Sequence, residues 1–255
     1  MIEIKDFSKD YNIFSHKKSS FSVKNISMKI VPGKITALLG PNGSGKTTIM
    51  KTICGFHYPS GGQIILSDNS GNFINVAEKP ELAMNFVGYV PELSVLPPEM
   101  KVIEFLQYAG ELHGLHAKEL TASIAEVVEK CSLQDVLEKK IKKLSKGYAQ
   151  RVSFAQAIIH KPANLILDEA ITGLDPAQIM QMRQMIAGVS KNCAILMSTH
   201  ILQEVDSLCD EIFIINRGKI AISGTEETIT KEKNTETLEQ AFFKIINDGE
   251  AENEK

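Results

Sequence analysis

The spacing of apolar positions changes three times along the chain, and each change predicts a different kind of element. Residues 1 to about 66 read as short strands joined by turns. Ser22-Val23-Lys24-Asn25-Ile26-Ser27-Met28-Lys29-Ile30 alternates apolar and polar positions, the mark of a half-buried strand, and Val31-Pro32-Gly33-Lys34 follows as a turn. The segment Asn12 to Ser20 is expected to form an exposed hairpin. Ile35-Thr36-Ala37-Leu38-Leu39 is then a short, nearly continuous apolar strand. From about Val102 to Lys143 the period becomes helical: Val102, Phe105, Leu106 and Ala109, then Ile124, Val127, Val128 and Cys131, recur at helix spacing, bounded by Pro97-Pro98 and Gly114. That stretch is a candidate helical insert. Beyond it, Leu165-Ile166-Leu167 and Ala194-Ile195-Leu196-Met197 are continuous apolar runs separated by a helix with Ile179, Met182, Ile186 and Val189, which predicts parallel strands buried on both faces. Glu211-Ile212-Phe213-Ile214-Ile215 is a further strand, and Asn216-Arg217-Gly218-Lys219 suits a hairpin turn. The charged tail from about Glu226 carries one apolar helical face, Leu238, Ala241, Phe242, Ile245 and Ile246. No internal repeat or low-complexity tract is evident.

Composition narrows what this alternation can be. At 255 residues and 43% hydrophobic content, the chain can bury the core of one large α/β domain or of a core with a smaller satellite. A net charge of -3 gives no general attraction for phosphate backbones, and Lys139, Lys140, Lys142 and Lys143 form only a short cluster beside acidic neighbours, so nucleic acid is not an expected partner. Four cysteines, Cys54, Cys131, Cys193 and Cys209, lie far apart without a C-x-x-C pair, which argues against a zinc site or a disulfide framework and for small buried side chains in a reducing compartment. Met1-Ile2-Glu3-Ile4-Lys5 has no apolar leader core, and no run approaches the ~18 apolar residues needed to span a bilayer. A soluble, cytoplasmic chain is the expectation.

The chemistry is concentrated directly after the first continuous apolar strand. Gly40-Pro41-Asn42-Gly43-Ser44-Gly45-Lys46-Thr47-Thr48 satisfies G-x-x-x-x-G-K-[ST] at every fixed position. Glycines there let the backbone wrap an anion with successive N-H groups turned inward, and a helix beginning near Lys46 adds the positive end of its dipole. Lys46 would reach the β- and γ-phosphates of a nucleoside triphosphate, Thr47 would offer its hydroxyl to Mg²⁺, and Thr48 is next in line for phosphate contact. A glycine-rich turn that happens to precede a lysine is the bland alternative, and the strand before it and the Ile49, Met50, Ile53 pattern after it weigh against that. The second half of a site follows the strand Leu165-Ile166-Leu167 in Asp168-Glu169. An acidic residue at a buried strand end is placed to hold Mg²⁺, usually through water, and a neighbouring carboxylate can orient or deprotonate an attacking water. Two such carboxylates repel each other unless a cation sits there.

Leu144-Ser145-Lys146-Gly147-Tyr148-Ala149-Gln150-Arg151 leads into a helix with apolar Val152, Ala155, Ile158 and Ile159. The order phosphate loop, helical insert, L-S-x-G, apolar-D-E, G-L-D and S-T-H resembles the nucleotide-binding domain of ATP-binding cassette (ABC) proteins over residues 1 to about 225. The resemblance implies an α/β P-loop core with a mostly parallel sheet, an N-terminal antiparallel β subdomain and a helical subdomain inserted at about 93–155, followed by a helical tail at 226–255. It implies that Ser145 and Gly147 face the phosphate loop of a second cassette, so that each ATP is clamped between two protomers, either two copies or this chain and a relative. Lys146 and Tyr148 depart from the family's usual glycine and glutamine. Ser145 also reads simply as a helix N-cap. Gly173-Leu174-Asp175-Pro176 resembles the family's interface-crossing D-loop, and Asp-Pro is equally a plain helix start. By the same likeness His200 hydrogen-bonds the γ-phosphate and steadies water near the catalytic Glu169, Glu92 takes the place of a metal-reaching glutamine, and Ala170 replaces a proline. Tyr11 falls where the family stacks an aromatic on adenine, worth about 1 kcal/mol; a core-facing strand aromatic is the alternative.

Together these imply an Mg-ATP-hydrolysing subunit, held at the inner face of a membrane by a separate transmembrane permease. Glu92 and the segment Thr237 to Lys244 resemble exporter-type members. Two rivals stand beside it: a soluble mechanical ATPase acting on DNA or ribosomes, which usually carries a duplicated cassette or a long coiled-coil insert, and a nucleotide-binding regulatory module with little turnover.

Overall fold

The computed structural model describes residues 1–11 and 22–251. The hairpin expected over Asn12 to Ser20 lies outside the described residues. In chain order the elements are strands β1 (Ile2–Asp10), β2 (Ser22–Ile30) and β3 (Ile35–Leu39), helix α1 (Lys46–Ile53), strands β4 (Gly61–Ser67) and β5 (Phe73–Asn75), the one-turn helix α2 (Ala83–Phe86) and strand β6 (Val87–Val90). Helices α3 (Val102–Leu112), α4 (Ala117–Lys130) and α5 (Lys146–Ile158) follow. Then come β7 (Asn164–Asp168), α6 (Pro176–Ser190), β8 (Ala194–Thr199), α7 (Leu202–Leu208), β9 (Glu211–Asn216), β10 (Lys219–Gly224), α8 (Glu226–Lys233) and α9 (Leu238–Ala251).

Two sheets result, and their character follows the two sequence patterns. The alternating N-terminal segments form a four-stranded antiparallel sheet in the order β2-β1-β4-β5, with Ile2 opposite both Ile30 and Leu66. The continuous apolar runs form a six-stranded sheet in the order β10-β9-β3-β8-β7-β6, parallel throughout except where the β9–β10 hairpin closes one edge. That hairpin turns through Arg217 and Gly218, both in the left-handed region at φ +48° and +76°, as a two-residue turn requires.

Burial on both faces explains the continuous runs. Leu165, Leu167, Ile195 and Met197 pack against the helical insert and α6, whereas Ile166 and Leu196 point the other way, toward α1 and the antiparallel sheet. Helix α1 is the wedge between the sheets. Its Ile49, Met50 and Ile53 are fully buried, each contributing about 1.5–3 kcal/mol by leaving water. In the tail, Leu238, Ala241, Phe242 and Ile245 cover Ile212 and Ile214 of β9 and Ala37 and Leu39 of β3. The apolar face of α9 is therefore occupied by its own chain. All four cysteines are free thiols, three of them buried. Among the described residues no helix is long and apolar enough to cross a membrane.

The parallel register matters most for function. Leu39 aligns with Thr199, and Asp168 with Ser198, so the chain leaves β3, β7 and β8 at one common sheet edge. Open parallel sheets bind ligands there, at the carboxyl ends of their strands.

Candidate active site

The loop Gly40 to Gly45 leaves β3 and turns directly into α1, which begins at Lys46. Gly43 and Gly45 have φ of +77° and +114°, conformations a side chain would strain. Gly40 is held by space: a Cβ there would collide with the Ile215 carbonyl and the Ser44 hydroxyl. The Gly218 N-H donates to the Ser44 carbonyl at 2.9 Å, which ties the loop to the β9–β10 turn. Pro41 and Asn42 occupy its outer curve, less buried than Gly40. The Ser44 hydroxyl is buried with no hydrogen-bond partner among the described residues.

Lys46 lies inside this loop, 5% exposed, its Nζ donating to the carbonyls of Gly40 at 2.8 Å and Pro41 at 3.2 Å. Nζ also stands 3.7 Å from Glu169 Oε1. Burial pushes the ammonium below the usual lysine range, while the charges of Glu169 and Asp168 pull it back up. One cation thus faces the two carboxylates whose repulsion needed balancing.

Asp168, 1% exposed at the end of β7, is ringed by hydroxyls. Ser198 donates to Oδ1 at 2.6 Å, Thr47 to Oδ1 at 3.4 Å and Tyr89 to Oδ2 at 3.5 Å. Burial and the nearby Asp168 charge both push the Tyr89 phenol up, keeping it a donor. The Ser198 hydroxyl also accepts from the Glu169 N-H at 3.0 Å, so one side chain spaces the adjacent carboxylates. Glu169 itself has φ +48°, a left-handed backbone at a residue with a side chain, costing of order 1–3 kcal/mol; such strain collects at functional sites. Its Oε2 lies 3.1 Å from His200 Nδ1.

Glu92 follows β6, exposed, and its charge helps hold the Lys46 ammonium protonated; no hydrogen bond or ion pair restrains it among the described residues. Tyr11 follows β1, about half exposed rather than facing the core, donates its hydroxyl to Thr48 Oγ1 at 3.3 Å and meets His57 edge-on at 6.0 Å. Its ring is therefore beside the first turn of α1.

Ser145 and Gly147 are elsewhere. Ser145 caps α5, its hydroxyl accepting from the Tyr148 N-H at 3.4 Å. Gly147 is buried where a Cβ would press on the Gln178 side chain of α6. Lys146 Nζ donates to the Thr172 carbonyl at 3.0 Å, and Asp175 caps α6 by accepting from the Gln178 N-H at 2.9 Å, with Pro176 in the first helical position. Among the described residues no hydrogen bond or ion pair joins Ser145 or Gly147 to residues 40–48 of the same chain.

Sequence reasoning assigned no role to Ser198, Tyr89, Thr199 or Glu204. Ser198 and Thr199 form the polar end of an apolar strand; the partnership of Thr199 with Glu204, five residues on and across the turn from β8 into α7, has no local sequence signal.

A glycine-lined anion cradle at the end of one parallel strand, faced by paired carboxylates from a strand two places across, defines a P-loop nucleoside triphosphatase. Which branch of that class follows from comparison with known proteins. The family profile described as "ABC transporter" matches residues 23–172. The uncharacterized ABC transporter ATP-binding protein YxlF of Bacillus subtilis (strain 168) is 34% identical over 235 residues, covering 92% of this chain and 74% of that protein. A solved ATP-binding subunit of an ABC transporter superposes with a TM-score of 0.83 at 28% identity, covering 96% of this chain and 99% of the other. The dimeric bacterial ABC transporter cassette MJ0796 shares the fold, with a TM-score of 0.76 at 21% identity over 88% of this chain and 98% of that one. The chain belongs to the ABC transporter family and is an ATP-binding, ATP-hydrolysing subunit of it.

Proposed function

We propose that this subunit works as one of a pair of cassettes that close on two Mg-ATP and drive export through a separate transmembrane permease. The observation that carries the reading is the chain of contacts from Lys46 through Glu169 to His200, set beside the hydroxyl-ringed Asp168 at the same sheet edge.

In this reading the amides of Gly40, Pro41, Asn42, Gly43, Ser44 and Gly45 and the start of α1 cradle the phosphates. Lys46 leaves its two carbonyl partners for the β- and γ-phosphates, and Thr48 adds a phosphate contact. Thr47 and Asp168 already share a hard oxygen pair 3.4 Å apart, the donor chemistry Mg²⁺ selects, and Glu92, whose charge acts on Lys46, would supply a third oxygen. Bound there, Mg²⁺ would neutralise charge on the transferring phosphoryl group. Glu169, released by Lys46, accepts a proton from or orients the attacking water, while His200 holds Glu169 and contacts the γ-phosphate. Tyr11 offers its half-exposed ring to adenine. Ser145 and Gly147 present a capped helix N-terminus to the γ-phosphate on the opposite protomer, which agrees with the lack, among the described residues, of any hydrogen bond from them to their own cradle and with the dimeric cassette that shares the fold.

Closure that needs the γ-phosphate makes ATP favour the closed pair and hydrolysis release it, a population shift the permease can feel. Export is supported by Glu92 in place of glutamine, and membrane attachment rests on the permease. The test is Glu169→Gln: it should trap ATP, nearly abolish turnover and yield a stable dimer by light scattering. Parent turnover in that variant would overturn the assignment. Co-expressed with a candidate permease in inside-out vesicles, the wild-type subunit should drive ATP-dependent accumulation; stimulation of ATPase without accumulation would argue for another direction.

A further inference from the structure

Behind His200 lies a polar pair that the catalytic assignments leave unused. Thr199 is completely buried and Glu204 is 2% exposed. The Thr199 hydroxyl donates to Glu204 Oε2 at 2.6 Å and accepts from the Ile201 N-H at 3.0 Å. The backbone closes the same loop, with the Glu204 N-H donating to the Ile201 carbonyl at 3.1 Å. His200 therefore sits between two residues that are both fastened to one hydroxyl, and that hydroxyl is aimed by Glu204. We propose that Glu204 is a positioning residue for ATP hydrolysis, orienting the Thr199 hydroxyl and through it the backbone that carries His200 to Glu169.

Stability alone does not account for a carboxyl in this place. A buried carboxyl is expensive unless fully paired, and Glu204 Oε1 has no hydrogen-bond partner among the described residues. Burial pushes its pKa up, and the Thr199 hydrogen bond, Arg183 of α6 and His200 pull it back, while Glu169 pushes it further up. Arg183 spends its Nη2 on the Gln203 carbonyl at 3.1 Å and leaves Nε buried without a partner among the described residues, so the cation on that side does not neutralise Glu204 by direct contact. What Glu204 secures is direction. His200 is 39% exposed in its side chain and, among the described residues, its polar contact is Glu169, so the loop backbone sets where the imidazole starts. Near-attack geometry is sensitive to displacements of about 1 Å, which can cost on the order of 10²-fold in rate.

The inference rests on the reading of His200 and Glu169 given above, and the experiment separates the two. Single-turnover hydrolysis of saturating Mg-ATP is measured on the full chain for wild type, Glu204→Ala, Glu204→Gln, Thr199→Val and Thr199→Ser, each also in a His200→Ala background, with ATP affinity and melting temperature alongside. Glu204→Ala and Thr199→Val should lose on the order of 10²-fold in rate with ATP affinity unchanged, because the cradle is untouched. Glu204→Gln, which keeps an acceptor for Thr199, and Thr199→Ser, which keeps the hydroxyl, should recover most of the rate. In the His200→Ala background neither Glu204→Ala nor Thr199→Val should cost anything further, the non-additivity expected of residues acting through one another. Equal losses in both backgrounds, or a full rate in Glu204→Ala, would overturn the role of Glu204. A full rate in His200→Ala would instead remove the His200 reading, and with it any role exercised through that residue. Should Glu204→Ala fail to fold, the nearly isosteric Thr199→Val carries the same comparison.

Discussion

The phosphate cradle and the capped start of α5 occupy the same chain, yet they are built in opposite ways. The cradle is enclosed: Lys46 and Asp168 are 5% and 1% exposed, and their polar atoms are already bonded to carbonyls, hydroxyls and Glu169. The α5 start is open, with one 3.4 Å cap bond from Ser145 and a lysine tether from Lys146 to the Thr172 carbonyl. A region satisfied within its own fold can be prepared before ligand arrives. A helix N-terminus with a single side-chain cap still has donors left over, free to meet something brought to them. Under the proposed function, one half of the machine is specified by folding and the other by assembly, and that contrast can be tested from either side.

The largest effect should come from Glu169→Gln, which leaves the cradle intact and removes only the carboxylate charge. Turnover should fall by about 10²–10⁴-fold while ATP affinity holds, read by phosphate release and equilibrium nucleotide binding. Lys46→Ala strikes the enclosed half at binding instead. Losing a charged hydrogen-bond donor to phosphate should weaken ATP affinity by roughly 10–100-fold in the monomer, measured by titration calorimetry. Ser145→Ala should separate the halves most sharply: monomeric ATP affinity unchanged, but ATP-dependent dimerisation and turnover reduced, with about 1 kcal/mol of stability lost with the cap. Sedimentation with and without ATP decides it; an unaltered dimer would mean the α5 start is structural only. The smallest effect is expected from Asp175→Ala, where loss of the α6 cap costs about 1 kcal/mol, or a melting shift of about 2–4 °C at this chain length. Asp175→Asn should restore it.

Much of the architecture was legible from periodicity. The alternating segment at Ser22 to Ile30 is β2, the continuous runs became β7 and β8, and the helix-spaced apolar residues of the insert are the buried faces of α3 and α4. Burial period reveals how many faces are covered, so these readings depend only on local sequence. The glycine-rich loop was legible for a similar reason, since its φ values and close approaches are local demands. Tyr11 was not decidable: a tyrosine at a strand end can face either way, and only the packing beneath β1 leaves it half exposed beside Thr48. The apolar face of α9 was equally ambiguous until β3 and β9 were seen to lie under it.

What the linear chain settled by itself was chemistry type and element type: an anion cradle, adjacent carboxylates, strands buried on two faces, helices on one. Only the folded sheet decided which of these meet. Asp168 reaches Ser198 because β7 and β8 pair in parallel with that register, and Glu169 reaches Lys46 because β3 lies one strand beyond. Strand order is set by long-range packing and crossover handedness, summed over the whole core, and no short window of sequence contains that sum.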